Sequence, residues 1–239
     1  MAAAIKKQFR IQWKDWIIMS LLIVGASIFG VVLFAVIGAF DAETVSYFPL
    51  GTVMGGIAAL MYCMILMMTN LTLSFNVEVS MGCTRKQFFV SYYITSFATA
   101  LIAIAIVILG DLAERAVYPQ IYTHLEEEID FLPYLLKWSI PAAAAVPVFG
   151  GFFGALMMKF GRTAFWILWA LWMVLCLGFP NIHEAIEEAP NSMLGKIGIA
   201  AADVFGGVPM SAWIMLGAAA AVVSLVGSWM IVRKQQVTA

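Results

Sequence analysis

The side chains best placed for chemistry lie in one polar stretch, residues 69–93. It reads TNLTLSFNVEVSMGCTRKQFFVSYY. Thr84-x-x-Gln87 is a capping box, which predicts a helix that begins at Thr84. Gly82 predicts a break in the chain just before that helix. Leu71–Met81 is then expected to be a separate short segment with Glu78 on its surface. Such a segment could dock against another protein, or it could be a plain turn at the membrane interface.

The sequence contains no recognisable catalytic or metal-binding set. Neither H-E-x-x-H nor G-x-S-x-G occurs, and Gly195-Lys196 lacks the upstream glycine of a nucleotide-binding loop. His183 and Glu187 have metal-like spacing, but two ligands are too few for a site. The three cysteines are too scattered for a disulfide framework. We therefore expect no catalytic residue, no bound metal and no enzyme activity in this chain, and nothing supports nucleic-acid binding.

The composition identifies an integral membrane protein. Of 239 residues, 63% are hydrophobic and 11% are charged, against about 45–50% and about 25% in soluble domains. Because no soluble core of this size can bury so much apolar surface, the positioning elements must be helices in a bilayer.

Six apolar segments are long enough, or nearly so, to cross a bilayer core of about 30 Å. They do not alternate as barrel strands do, so the predicted fold is an all-α membrane bundle. None has a charged residue in its middle, which argues against an ion-coupled carrier. The predicted spans are residues 17–40, 50–68, 89–109, 135–158, 164–179 and 212–232.

The charges predict an orientation. Six spans place the N-terminus, the loop at 69–88, the loop at 159–163 and the C-terminus on one side of the membrane. These segments contain ten of the thirteen basic residues but only two of the fourteen acidic residues. By the positive-inside rule, both termini are cytoplasmic. Residues 4–16 are predicted to form a basic amphipathic helix lying in the inner interface, with Ile5, Phe9, Trp13 and Trp16 on one arc. The alternative is a generic membrane anchor.

The polar stretch resembles the coupling-helix region of ABC-2-type (type V) permeases, the membrane subunits of one class of ATP-binding-cassette exporters. In particular it resembles the small Gram-positive permeases that export peptides and antimicrobials. The residues that carry the resemblance read Glu78-x-x-x-Gly82-x-Thr84-Arg85-Lys86-x-Phe88-Phe89. In that family the first cytoplasmic loop seats in a groove of the ATPase. The resemblance therefore implies that Glu78, Gly82, Thr84, Arg85 and Lys86 couple to an ATPase.

The resemblance also implies an assembly. Two copies of an ABC ATPase would dock beneath two permease copies, either a homodimer or a heterodimer with a related permease, in the bacterial plasma membrane and in contact with lipid. ATP and Mg would be bound by the ATPase and not directly by this chain. The family has an outer helical hairpin between spans five and six, which agrees with the apolar segment 192–209, predicted to be re-entrant.

The acidic outer loop at 111–133 is longer than the family leads us to expect. It could attract cationic molecules. Alternatively, acids collect outside because the basic residues are kept inside.

Two stripes of side chains are candidates for a substrate path, because the family places spans one, two and five along the cavity. Methionine suits surfaces that accept varied apolar partners. Lipid contact or helix packing is the alternative for each stripe. The stripes are Met54, Met61, Met64 and Met68 in span two, and Phe165, Trp169, Trp172, Cys176 and Phe179 in span five.

Small residues predict close helix packing. They occur at Gly51-x-x-x-Gly55, at Gly150-x-x-x-Gly154 and in span six at Gly217, Ala221, Ser224 and Ser228.

The predicted function is therefore the membrane subunit of an exporter for an apolar or amphipathic substrate, with a peptide toxin or antimicrobial peptide as the first expectation by family analogy. One alternative is the substrate-binding membrane subunit of a vitamin importer, which would need a polar outward pocket. Another is a non-transporting immunity or scaffold protein, which would bind no ATPase.

Overall fold

The computed structural model describes residues 2–40, 45–121, 125–128, 130–188, 192, 196, 198–200 and 206–235. Six long helices account for nearly all of this part of the chain. Two short strands, β1 (Val45–Tyr47) and β2 (Leu125–Glu128), pair in parallel and join the connections that follow α1 and α3. The helices are α1 (Ala2–Phe40), α2 (Leu50–Ser80), α3 (Arg85–Ile121), α4 (Leu132–Phe160), α5 (Arg162–Glu188) and α6 (Met210–Lys234).

The predicted all-helical membrane architecture is confirmed at this level. Five helices, namely α1, α2, α3, α4 and α6, are long and apolar enough to cross a membrane, which is compatible with a multi-pass membrane protein. The predicted span at 164–179 lies within α5, whose described apolar part, Arg162–Val174, is shorter than the other five. Most of the segment 192–209, predicted to be re-entrant, lies outside the described residues.

The prediction of a separate short segment at Leu71–Met81 is wrong, because α2 continues without a break to Ser80. The last turns of α2 are held by tertiary contacts. Leu71 and Phe75 are fully buried in one cluster with Phe88 of α3, and the rings of Phe75 and Phe88 meet edge to face at 5.4 Å. The stretch that was expected to be a coupling loop is therefore mostly an extension of a membrane-length helix.

The N-terminal segment also differs from its prediction. Residues 4–16 belong to the single helix α1 and do not form a separate interfacial helix. Within the apolar arc, Trp13 is 56% exposed, whereas Trp16 Nε1 donates a hydrogen bond of 2.9 Å to Thr99 Oγ1 of α3; Gln8 and Gln12 are buried. Met19 and Ile23 are buried on the same face of α1. The rotation of α1 that buries these two apolar side chains therefore also turns the two glutamines inward.

Helix α3 is longer than the predicted span at 89–109, because it runs on to Ile121. Its last turns place Asp111 and Glu114 inside the structure, where both are buried. Residues 111–121, nearly half of the predicted acidic loop at 111–133, are therefore helix.

The core lies between α1, α2, α3 and α4, and glycines set its closest approaches. A Cβ on Gly154 would lie 2.8 Å from the carbonyl oxygen of Met68, and one on Gly150 would lie 2.9 Å from Cβ of Met67. Both distances are too short for a side chain, so the prediction that these glycines allow close packing of α4 on α2 is confirmed.

The predicted small-residue face of α6 is confirmed only in part. Ser224 and Ser228 are buried, whereas a Cβ on Gly217 would meet no described atom within 4 Å. The half of α6 nearer its C-terminus therefore packs against the bundle, and its first turns leave Gly217 open.

Candidate functional site

Several helix ends meet at one end of the bundle, which we call the basic end. The Lys7 ammonium of α1 lies 2.7 Å from the Met81 sulfur after α2. The Arg85 guanidinium at the start of α3 donates a hydrogen bond of 2.6 Å to the Arg233 carbonyl near the end of α6. The ten basic residues predicted to share one side lie in these helix ends or in the α4–α5 turn.

The turn between α2 and α3 is built by local sequence, as predicted. The Gln87 backbone N–H donates to Thr84 Oγ1, and the Thr84 backbone N–H donates to Gln87 Oε1, both at 3.3 Å. This reciprocal pair is the predicted capping box. Gly82 has a φ of +84°, a conformation that favours glycine. Together these features fix the path of the chain between the two helices.

The five predicted coupling residues do not share one surface. Gly82, Thr84 and Lys86 are exposed, and Arg85 is partly exposed beside α6. Glu78 is 1% exposed, so the prediction that it lies on the surface is wrong. The reason is helix periodicity, since Glu78 lies three residues after Phe75 and seven after Leu71, on the buried face of α2.

Glu78 belongs to a buried set of hydrophilic side chains between α1, α2 and α3, which we call the polar seam. Thr95 Oγ1 donates a hydrogen bond of 2.7 Å to Gln8 Oε1. One helical turn further along α1, Gln12 is also buried. The polar seam comprises Gln8, Gln12, Glu78, Ser91, Thr95 and Thr99, all of which are buried.

Several atoms of the polar seam lack the hydrogen bonds that buried polar groups normally make. Neither carboxylate oxygen of Glu78 accepts a hydrogen bond of normal geometry, although the Gln8 amide lies beside it, and Gln8 Nε2 and Gln12 Oε1 likewise have no partner of normal geometry. The charge on Glu78 also reaches the neighbouring turn, where burial and then the Glu78 carboxylate raise the pKa of Cys83. The polar seam thus holds a buried acid whose charge is poorly compensated.

A second polar cluster lies at the opposite end of the bundle, around Glu114 of α3. One Glu114 oxygen accepts from the Gly51 backbone N–H at 2.8 Å and from the Tyr118 hydroxyl at 2.6 Å. The other accepts from the Thr52 backbone N–H at 2.6 Å and from Thr52 Oγ1 at 2.7 Å. Glu114 therefore caps the N-terminus of α2, where the backbone N–H groups have no partner within the helix.

Asp111 and Arg115 extend this cluster towards the outside of the fold. One Asp111 oxygen lies 3.1 Å from Thr52 Oγ1, whose single proton goes to the nearer Glu114, and the other accepts from Arg115 Nε at 2.8 Å. Arg115 also bonds Asp130, and this hydrogen bond holds the pKa of the Asp130 carboxyl below its usual value. The cluster was missed because the apolar run ends at Leu109, although Asp111, Glu114 and Arg115 have helical spacing.

The two predicted substrate-path stripes are not brought together. Helix α2, which carries the methionines, packs against α1, α3 and α4, whereas α5 makes its main contacts with α4. Phe165, Trp169 and Trp172 are 43–49% exposed, and the side chains of Cys176 and Phe179 lie outside the described residues. Within one chain, the stripes therefore do not line a common cavity.

An apolar cavity of about 180 Å³ lies between α2, α3 and α4. It is lined mainly by small side chains, and neither stripe contributes to it. Its walls include Gly56, Ala59, Cys63, Ala100, Ala103 and Val107.

Comparisons with known proteins give no identification. No protein-family model, no curated protein and no solved structure matches this chain. Within the described residues, no group of three or more His, Cys, Asp or Glu side chains could hold a metal ion.

Proposed function

We propose that this chain is the permease subunit of an ATP-binding-cassette exporter of the ABC-2 type. The observation that supports the proposal most is the α2–α3 turn. It is fixed by a capping box and a left-handed glycine, and it presents Thr84 and Lys86 to the surroundings at the basic end. A rigid, exposed and positively charged turn at the end of two long helices is a suitable contact for a motor protein.

The proposal includes a membrane arrangement. Helix α5 has 27 residues, a length of about 40 Å at 1.5 Å per residue, and would be the sixth span. The segment 192–209 would re-enter the membrane from outside. Since basic residues concentrate at the end that carries both termini, that end would face the cytoplasm of a bacterial cell.

The continuity of α2 suggests how force would be transmitted. A displacement of the α2–α3 turn by the ATPases would move a single helix that reaches from Ser80 to Leu50. The far end of α2 is attached to α3 through Glu114. Motion at the turn would therefore reach the opposite end of the bundle, instead of being absorbed by a loop.

The substrate path would require a second copy of the permease, or a related permease, since the two stripes are separated within one chain. The aromatic side chains of α5 are exposed and would face the partner permease across a shared cavity. Such a surface suits an apolar or amphipathic cargo, with a peptide toxin or antimicrobial peptide as the first candidate. ATP and Mg would be bound by the two ATPase subunits.

The proposal is tested by purifying the tagged full-length chain from its native membrane in mild detergent. We expect an ATPase with a nucleotide-binding loop to co-purify, identified by mass spectrometry, with vanadate-sensitive ATP hydrolysis. Lys86→Glu should reduce both by about tenfold or more, because Lys86 is exposed at the proposed contact. Lys137→Glu, the same change at the opposite end, should reduce neither. Absence of such an ATPase, or equal loss in the two variants, would contradict the proposal.

A further inference from the structure

The polar seam contains more buried hydrogen-bond acceptors than donors to satisfy them. Three acceptor oxygens have no partner, namely both carboxylate oxygens of Glu78 and Oε1 of Gln12, while Gln8 Nε2 is a donor without a partner. The residues that carry these atoms are only 1–3% exposed. Gln8 Nε2, which already lies beside Glu78, can serve only one of these acceptors, so two remain unsatisfied.

A buried carboxylate without a partner is costly, so its charge must be compensated. From α1, the uncharged Gln8 amide is the hydrogen-bonding group beside Glu78, and the positive charge of Lys7 offsets the Glu78 charge only in part. The Lys7 ammonium, however, lies against the Met81 sulfur and not against the carboxylate. Helix α3 contributes uncharged hydroxyls to the seam. No described side chain therefore forms an ion pair with Glu78.

We propose that the polar seam is a binding site for a small monovalent cation, centred on Glu78. Carboxylate and amide oxygens are the ligands that hard cations prefer, and one carboxylate matches one positive charge. The Glu78 oxygens would contact the cation directly. Gln8 would assist it by reorienting its amide, whose oxygen now accepts from Thr95.

The cation would enter from the basic end, where Glu78 lies one turn from the α2–α3 turn. Either an alkali ion or a proton would supply the missing positive charge. Binding would stabilise the contact between α1 and α2 without any involvement of an ATPase. The inference therefore does not depend on the proposed exporter function.

The test is thermal unfolding of the purified full-length chain in detergent, followed by tryptophan fluorescence. At pH 8, sodium or potassium chloride is titrated against choline chloride at constant ionic strength. For an alkali ion, we expect Tm to rise by about 5 °C with saturation. For a proton, Tm should instead rise as the pH falls from 8 to 6, independently of the salt. Either response supports the site if Glu78 is required for it.

Three variants separate these responses from other causes. Glu78→Gln should lose the response and should be more stable than the unmodified chain in choline at pH 8, because it removes an uncompensated buried charge. Asp15→Asn, a matched charge change in α1, should keep the response. If Lys7 is instead the partner of Glu78, Lys7→Gln will lower Tm in every salt while no cation or pH response appears, and the proposal is overturned.

A binding measurement on the unmodified chain protects the test against a variant that fails to fold. Radioactive sodium bound by the purified protein should be displaced by unlabelled sodium. If the cation is a proton, the infrared spectrum at pH 6 should show a protonated carboxyl band that Glu78→Gln lacks. Finding neither bound sodium nor a protonated carboxyl would overturn the proposal.

Discussion

Replacement of Glu114 by alanine is the change that most directly tests the buried cluster at the end opposite the basic end. Glu114 accepts four hydrogen bonds, two of them from the backbone N–H groups of Gly51 and Thr52 at the start of α2. Thr52 Oγ1 would still reach Asp111, at 3.1 Å. The two backbone N–H groups cannot turn towards another acceptor, so the variant leaves both unsatisfied in a buried position.

The expected loss of stability follows from these two donors. An unsatisfied buried donor costs about 1–3 kcal/mol, and loss of a negative charge at a helix N-terminus costs about 0.3–1 kcal/mol. A total of about 4 kcal/mol is therefore expected. For a chain of this length, about 2–4 °C of Tm corresponds to each kcal/mol, so Tm should fall by roughly 10 °C.

The assay is thermal unfolding in detergent, with Tyr118→Phe as the matched variant. Tyr118→Phe removes one hydrogen bond to Glu114 but leaves the carboxylate bound to both backbone N–H groups, so its cost should be only about 1 kcal/mol. If Glu114→Ala lowers Tm no more than Tyr118→Phe, Glu114 does not cap α2 and the reasoning is refuted.

Two further predictions concern packing and charge. Gly154→Ala should lower Tm by several degrees, because the new Cβ would lie 2.8 Å from the Met68 carbonyl oxygen and overpacking costs about 1–3 kcal/mol. The control Gly217→Ala places its Cβ in open space and should not lower Tm. An equal fall in both variants would contradict the described packing of α4 on α2. The hydrogen bond from Arg115 lowers the pKa of Asp130 in the folded chain. The ion pair therefore stabilises the fold fully above the unfolded pKa of about 3.9, and this stabilisation is lost as the pH falls through the lower folded pKa. Between pH 5 and pH 3 the unmodified chain should therefore lose more Tm than Asp130→Asn, and equal losses would show that the Arg115 contact contributes nothing.

Features set by neighbouring residues could be predicted from the sequence. The capping box at Thr84 and Gln87, the break at Gly82 and the glycine contacts of α4 are of this kind, because spacing of a few residues determines them. The helical membrane class also follows from composition alone. In these cases the structure is determined either by residues within one helical turn of each other or by the apolar content of the whole chain.

Features set by distant partners could not be predicted. The burial of Glu78 depends on Gln8 and on the cluster around Phe88, and apolar periodicity in α2 continues past the point where hydropathy falls. Glu114 was assigned to a loop because charged residues end an apolar run, whereas its carboxylate satisfies the start of α2, more than 60 residues earlier. Likewise, the methionine and aromatic stripes are separated because α2 and α5 have different neighbouring helices. The spacing of residues within each stripe does not determine which helices are neighbours.

The central proposal, contact between the α2–α3 turn and an ATPase, is tested most directly by site-specific cross-linking in the native membrane. A photoreactive amino acid is placed at Lys86, which is exposed at the turn, and in a control at Lys137, which is exposed at the opposite end. We expect illumination to give an adduct with a protein that contains a nucleotide-binding loop, from position 86 and not from position 137. Efficient cross-linking at 86 to lipid alone, or to the same proteins as at 137, would contradict the exporter proposal.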